Sequence, residues 1–213
     1  MRDTVTDRGS DRVQASDSRR SRRLLGLALT VAIALPLGGC LGLGGKVPPT
    51  LLNLTADHAV VAGSGGSGTY RSAIAVLDPV AEIRVDVTRV PVQVDDSTVA
   101  YLKGAQWVER PSHLFRHLLA ETLRGRGKAL VIEGDPGTAA VKLGGRLIDM
   151  GFDARTGSVV VRFEAVKERA NGGIETRRFE SIVSGVVAQP GPVGVALNQA
   201  ANAVAGQVAD WVG

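Results

Sequence analysis

Cysteine is almost missing from this chain, which has one in 213 residues. A lone cysteine excludes an internal disulfide framework and a metal held by several thiolates. Histidine is nearly as scarce at three, and tryptophan and methionine number two each. Aromatic residues make up 4% of the sequence, so a core has to be assembled from valine, alanine and leucine. Long hydrophobic runs are lacking with one exception. Leu24 to Gly45 carries no charge, about the length of a membrane-spanning helix. What flanks that run decides how the rest is read.

The cysteine lies inside it. Arg19, Arg20, Arg22 and Arg23 form a positive cluster, Leu24 to Leu37 is apolar, and Leu37-Gly38-Gly39-Cys40 follows. A basic stretch, an apolar stretch and small residues in that order are the features of a secretory signal. The last four resemble the bacterial lipobox, in which the cysteine thiol takes diacylglycerol and the peptide is cut before it. On this reading residues 1–39 are a signal peptide, Cys40 is the lipidation site and lipobox residues Leu37, Gly38 and Gly39 are removed. An uncleaved anchor is the competing reading. Pro36 and the glycines at 38, 39, 42, 44 and 45 disfavour a continuous helix. Both readings put the remainder outside the cytoplasm, facing the periplasm. Ser21 to Leu25 resembles a twin-arginine signal, so Sec and twin-arginine export both stay open. Leu41, where an aspartate would favour retention, leans the anchor toward the outer membrane.

Removing residues 1–39 removes seven arginines and four aspartates, and leaves 18 basic against 17 acidic residues. The basic pI therefore belongs to the export segment and gives no argument for nucleic acid. Residues 40–49 read as lipidated cysteine plus a Gly/Pro tether, and 50–213 as one domain.

Within that domain, Thr50 to Thr55 is a strand candidate, and Gly63 to Gly68 reads as a linker. Ile74 to Leu77 and the alternating stretch Glu82 to Val94 read as strands, with a bulge or sheet edge where Pro91 breaks the phase. Val99–Lys103 and Gln106–Glu109 suggest a hairpin around Gly104. Pro111 opens a helix to about Arg126, burying Phe115, Leu118, Leu119, Thr122 and Leu123. After a strand at Ala129 to Ile132 and a turn at 133–137, Val141–Phe152, Val159–Lys167 and Ile174–Val187 form an antiparallel meander. A last helix over 192–212 turns Val193, Leu197, Ala200, Val204, Val208 and Trp211 to one side. The order gives an α+β single domain, a mainly antiparallel sheet with two main helices on one face.

No catalytic constellation emerges, and neither a cofactor nor a metal site is expected. Gly63, Gly65 and Gly68 satisfy G-x-G-x-x-G, but extended chain follows where a phosphate site needs a helix. His113 and His117 have zinc-ligand spacing, yet Leu114 stands where the catalytic glutamate would be; solvated histidines fit better. Asp95-Asp96 reads as turn chemistry, and Arg177-Arg178 as a solvated strand face. The proline-marked strand Val90-Pro91-Val92-Gln93 is the expected partner surface, because an edge leaves backbone groups free. Trp107 is either an exposed anchor there or a core filler, with the core favoured.

Residues 83–123 carry a resemblance. Ile83 to Asp95 resembles the strand-proline segment of the ABC-type transport auxiliary lipoproteins. Val99 to Leu102, Gln106 to Pro111 and Leu118 to Leu123 are similar to that family's short hairpin, tryptophan and following helix. The resemblance implies a lipid-anchored accessory partner of MCE-type and ABC permease proteins that move phospholipid, with no catalytic residues to carry over. A homo-oligomer would be compatible with it. The alternative is a general envelope-assembly lipoprotein, an outer-membrane or lipopolysaccharide-export partner or an activator of a cell-wall enzyme.

Cys40→Ala is expected to leave a full-size precursor that takes up no radiolabelled palmitate. Mature-size protein from the variant would count against lipidation, as would release of the wild-type chain by mild salt, since two or three acyl chains anchor stably.

Overall fold

The computed structural model describes residues 50–213. The signal segment, the lipobox residues Leu37, Gly38, Gly39 and Cys40, and the tether to residue 49 lie outside the described residues. In chain order the elements are β1 (Ile74–Val76), β2 (Val80–Ala81), β3 (Arg89–Gln93), β4 (Val99–Gln106) and α1 (Pro111–Gly125). They continue with β5 (Val131–Glu133), β6 (Val141–Asp153), β7 (Ser158–Arg169), β8 (Ile174–Ser184) and α2 (Pro190–Val212).

Strand β6 is the longest, and every sheet position is set from it. Along one edge it pairs with β7 antiparallel over its whole length, and β8 extends the meander. Along the other edge it receives three short parallel strands in succession: β1 at Val141 to Leu143, β2 at Arg146–Leu147 and β3 at Phe152–Asp153. Beyond them, β5 lies parallel on β1 and β4 antiparallel on β3. The long ladders are antiparallel and the short ones parallel, so the sheet is mixed and mostly antiparallel. With two helices on one face, this is the expected α+β domain.

Strand β7 shows why one face is covered. Val159, Val161, Phe163, Ala165 and Lys167 are buried, while Val160, Arg162, Glu164 and Val166 alternate with them and stay half-exposed. The apolar row meets α1, where Phe115 sits edge-on to Phe163 at 5.0 Å between ring centroids. It also meets α2, whose buried positions include Val193, Leu197, Ala200, Val204 and Val208. Small side chains there permit close helix approach, the structural use of an aromatic-poor composition. The valine and leucine side chains among them are worth about 1.5–3 kcal/mol each when fully buried. The end of α2 is pinned by Lys167, whose Nζ lies 4.3 Å from the centre of the Trp211 ring and donates to the Trp211 carbonyl at 3.3 Å.

Both helices, the meander and β1 form as the sequence predicts. Four expectations need correction. Thr50–Thr55 makes only a single bridge, Leu52 to Trp107. Glu82 to Thr88 is a turn: the N–H groups of Val85 and Asp86 both donate to the Glu82 carbonyl, at 2.7 and 2.9 Å. A strand would put Ile83 and Val85 on one face, whereas Ile83 is 90% exposed and Val85 fully buried. Gly104 does not turn the chain. It sits at φ +75° inside the continuous strand β4 and takes up the surplus residues between the pairs Pro91–Tyr101 and Arg89–Gln106, the expected bulge. Finally, β3 is no edge, because β4 and β6 occupy its two sides.

Gly145 is the tightest point of the ladder. At φ +143°, a Cβ there would lie 2.1 Å from the Glu164 carbonyl oxygen and 2.9 Å from the Phe163 ring. Gly144→Ala would meet only the Leu77 side chain, at ordinary contact distance. Urea denaturation should find Gly145→Ala destabilised by about 2–4 kcal/mol and Gly144→Ala by less than about 1 kcal/mol. Equal losses would contradict the assigned register.

Candidate interaction surface

The opposite face of the sheet is an array of charge. Arg84, from the turn before β3, donates from its Nη1 to Asp149 at 3.2 Å and from Nη2 to the Ile148 carbonyl at 3.2 Å. Arg162 lies between Asp149 and Glu180. Glu164 accepts from Arg178 at 2.5 Å and lies 3.8 Å from Arg146, which also pairs with Glu82 at 3.3 Å. At the β3 end of this face is an open cleft of about 280 Å³, lined by Arg84, Pro91, Gln93, Asp96, Asp149, Asp153, Arg155 and Arg162 together with Gly151, Phe152 and Val160.

Two turns close the cleft. Asp95 builds the β3–β4 turn by accepting from the Ser97 and Thr98 amides at 2.9 and 2.8 Å, as the sequence indicated. Asp153 begins the β6–β7 turn by accepting from the Arg155 amide at 2.9 Å and from its guanidinium at 3.0 and 2.7 Å. Arg155 also pairs with Asp96, so one arginine ties the tips of two hairpins. Its hydrogen bond holds the Asp153 carboxyl below the usual carboxylate range. Gly151 is needed at the floor, where a Cβ would stand 2.5 Å from the Pro91 carbonyl oxygen.

The expected partner residues separate here. Val90 and Trp107 are 0% and 1% exposed and belong to the core, and Pro91 is also buried. Val92 and Gln93 are half-buried, with Gln93 Nε2 donating to the Asp95 carbonyl at 2.6 Å. With β3 paired on both sides, no strand can be added to it. The Val90–Gln93 surface is therefore corrected: Pro91 and Gln93 contribute to the wall of the cleft, while Trp107 fills the core, its indole N–H without an acceptor among the described residues. The sequence reading missed Arg84, Asp149, Asp153, Arg155 and Arg162. The charged even positions of β7 were the available signal; the long-range pairing of Arg155 with Asp96 had none.

The histidines do not converge. His113 Nδ1 is 3.6 Å from Glu109 and His117 Nδ1 2.5 Å from Glu133, and among the described residues no metal-ligating cluster exists. Glu133 joins β5 to α1 through His117, Arg116 and Arg124. Burial works against its charge, but the Arg124 hydrogen bond and the charges of His117, Arg124 and Arg116 prevail and keep it below its ordinary value. The Gly63–Gly68 stretch leads into a three-residue 3₁₀ turn, Tyr70–Ser72, not a helix that could seat a phosphate. Among the described residues, no helix is long and apolar enough to cross a membrane.

No family model matches the chain, and no curated protein matches it. The fold does match solved structures. A Xanthomonas campestris protein of family DUF330 superposes with a TM-score of 0.65 at 15% identity, over 76% of this chain and 94% of that one. An uncharacterized protein superposes at 0.58 and 13% identity, over 68% and 95%. The chain therefore shares the fold of a DUF330 protein.

The carboxylates held low predict an acid limb of stability. Asp153 and Glu133 ordinarily titrate near 3.8 and 4.5. Because folding depresses them, their contribution is complete above those values and is lost as pH falls through the lower folded ones. Arg155→Ala should reduce stability at neutral pH and flatten the acid limb, measured by urea midpoints between pH 7 and acid. An unchanged slope would mean that Arg155 does not hold Asp153.

Proposed function

We propose that the chain is a lipid-anchored, periplasm-facing accessory component of an ABC-type, MCE-linked lipid transport system, working by protein–protein contact without catalysis of its own. The observation that carries this is the division of the sheet. Two helices seal one face, and the other presents fixed, alternating charges around an open cleft. Paired charges on a rigid sheet suit recognition of a complementary protein surface, where they set register and partner choice. The resemblance over residues 83–123 and the lipobox supply the class of partner and the anchor. Confinement to a membrane raises effective concentration, so a weak contact at the cleft is enough.

Tagged full-length protein from envelopes should copurify an MCE-type protein or its permease. Arg155→Glu should reduce that recovery about fivefold or more, the loss typical of an interfacial charge placed against like charge, with location unchanged. Cys40→Ala should mainly mislocalise the protein. Deletion should leave the outer membrane leaky to detergent or disturb its phospholipid balance. Intact lipid trafficking in the deletion strain would favour the envelope-assembly alternative, and hydrolysis of a lipid or peptidoglycan by the purified protein would overturn the non-enzymatic reading.

A further inference from the structure

The sheet has a free strand edge at β8. Among the described residues it pairs only with β7, and it is 11 residues long. Ile174 and Ile182 on its charged face are 66% and 53% exposed. Helix α2 leaves the edge uncovered, with an open groove of about 340 Å³ between Arg177–Glu180 and the side chains of Gln207, Asp210 and Trp211. A long edge of this kind invites strand addition unless its side chains oppose it.

Charges on an edge normally block self-pairing because like meets like. On β8 they have the opposite effect in one register. In an antiparallel pair related by a two-fold axis through Phe179, Arg178 of each copy stands opposite Glu180 of the other. Thr176 then faces Ile182, and Ile174 faces Ser184. Arg178 already pairs with Glu164, and Glu180 with Arg162, on β7 of the same chain. The join would thus continue an unbroken row, Glu164–Arg178 of one copy to Glu180–Arg162 of the other, twice by symmetry. Moving the axis to Arg178 sets arginine against arginine, and moving it to Glu180 sets glutamate against glutamate; both are destabilising. Axes further along leave Arg178 and Glu180 opposite uncharged residues and shorten the ladder.

We propose that β8 is a homotypic docking edge, and that its occupant is β8 of a second copy, joined antiparallel about Phe179 into one continuous sheet. The interface is isologous and closes on itself, so it yields a dimer and not a fibre. It adjoins the Asp96–Arg155 cleft through Arg162, which lines the cleft and pairs with Glu180 at the seam.

Full-length protein purified in detergent should sediment as a dimer. Arg178→Glu and Glu180→Arg should each weaken self-association about tenfold or more, because symmetry applies each like-charge contact twice. The double variant should return to within about threefold of the parent. It also loses both pairs to β7, so recovery cannot come from a better monomer. A second readout avoids charge: Thr176→Cys with Ile182→Cys should link two copies on oxidation, with the parent carrying Cys40 alone as the blank. Circular dichroism checks that each variant folds. A monomeric parent, single swaps that leave the dimer intact, or linking by Thr176→Cys alone would each overturn the proposal.

Discussion

Strand β6 is hydrogen-bonded along both edges, and the rest of the domain depends on that double pairing. On one side it offers a full antiparallel ladder to β7. On the other it must accommodate β1, β2 and β3 end to end, separated by turns. Both demands are met by local departures from a regular strand. A register shift falls between Leu147 and Asp149, Gly145 lets the Glu164 backbone approach, and Gly151 lets Pro91 pack across. Where β6 is full, β3 is full, which removes the proline-marked strand from consideration as a docking edge. The unpaired hydrogen-bonding capacity moves outward to β4, β5 and β8, of which β8 is the longest.

From this follows the sidedness of the domain. Alternation on β7 sends Phe163 and its neighbours under the helices and Arg162 and Glu164 to the open side. Because α1 and α2 cover the apolar face, the open face is the one left for recognition. Its arginines and carboxylates are already satisfied by one another, which fixes their geometry before any partner arrives and lowers the cost of ordering them.

The sequence made local regularities legible. Pro111 with the stripe Phe115, Leu118, Leu119 and Leu123 marked α1, and the valines of β7 marked a strand half-covered by helix. It misled where local pattern and long-range pairing disagree. Ile83, Val85 and Val87 alternate like a strand, but Asp86 accepts from Arg110 and Ser112 at the start of α1, and a turn fits that anchorage. Gly104 reads as a hairpin tip until the register with β3 assigns it to a bulge. The candidate cleft was the least visible part. It joins Arg84, Asp96, Asp149 and Arg155, which come together only because β3 runs beside the end of β6. Glycine or proline spacing cannot report such a meeting.

We propose that this charged cleft meets a lipid-transport partner at the membrane. A photo-crosslinking amino acid placed at Asp96, in the full chain in living cells, tests it most directly, since that side chain is 96% exposed at the rim. An adduct with an MCE-type protein or its permease is expected, lost when the probe is moved to the far side of the domain at Val195. Adducts only with cell-wall or lipopolysaccharide-export proteins, or equal labelling from both positions, would contradict it.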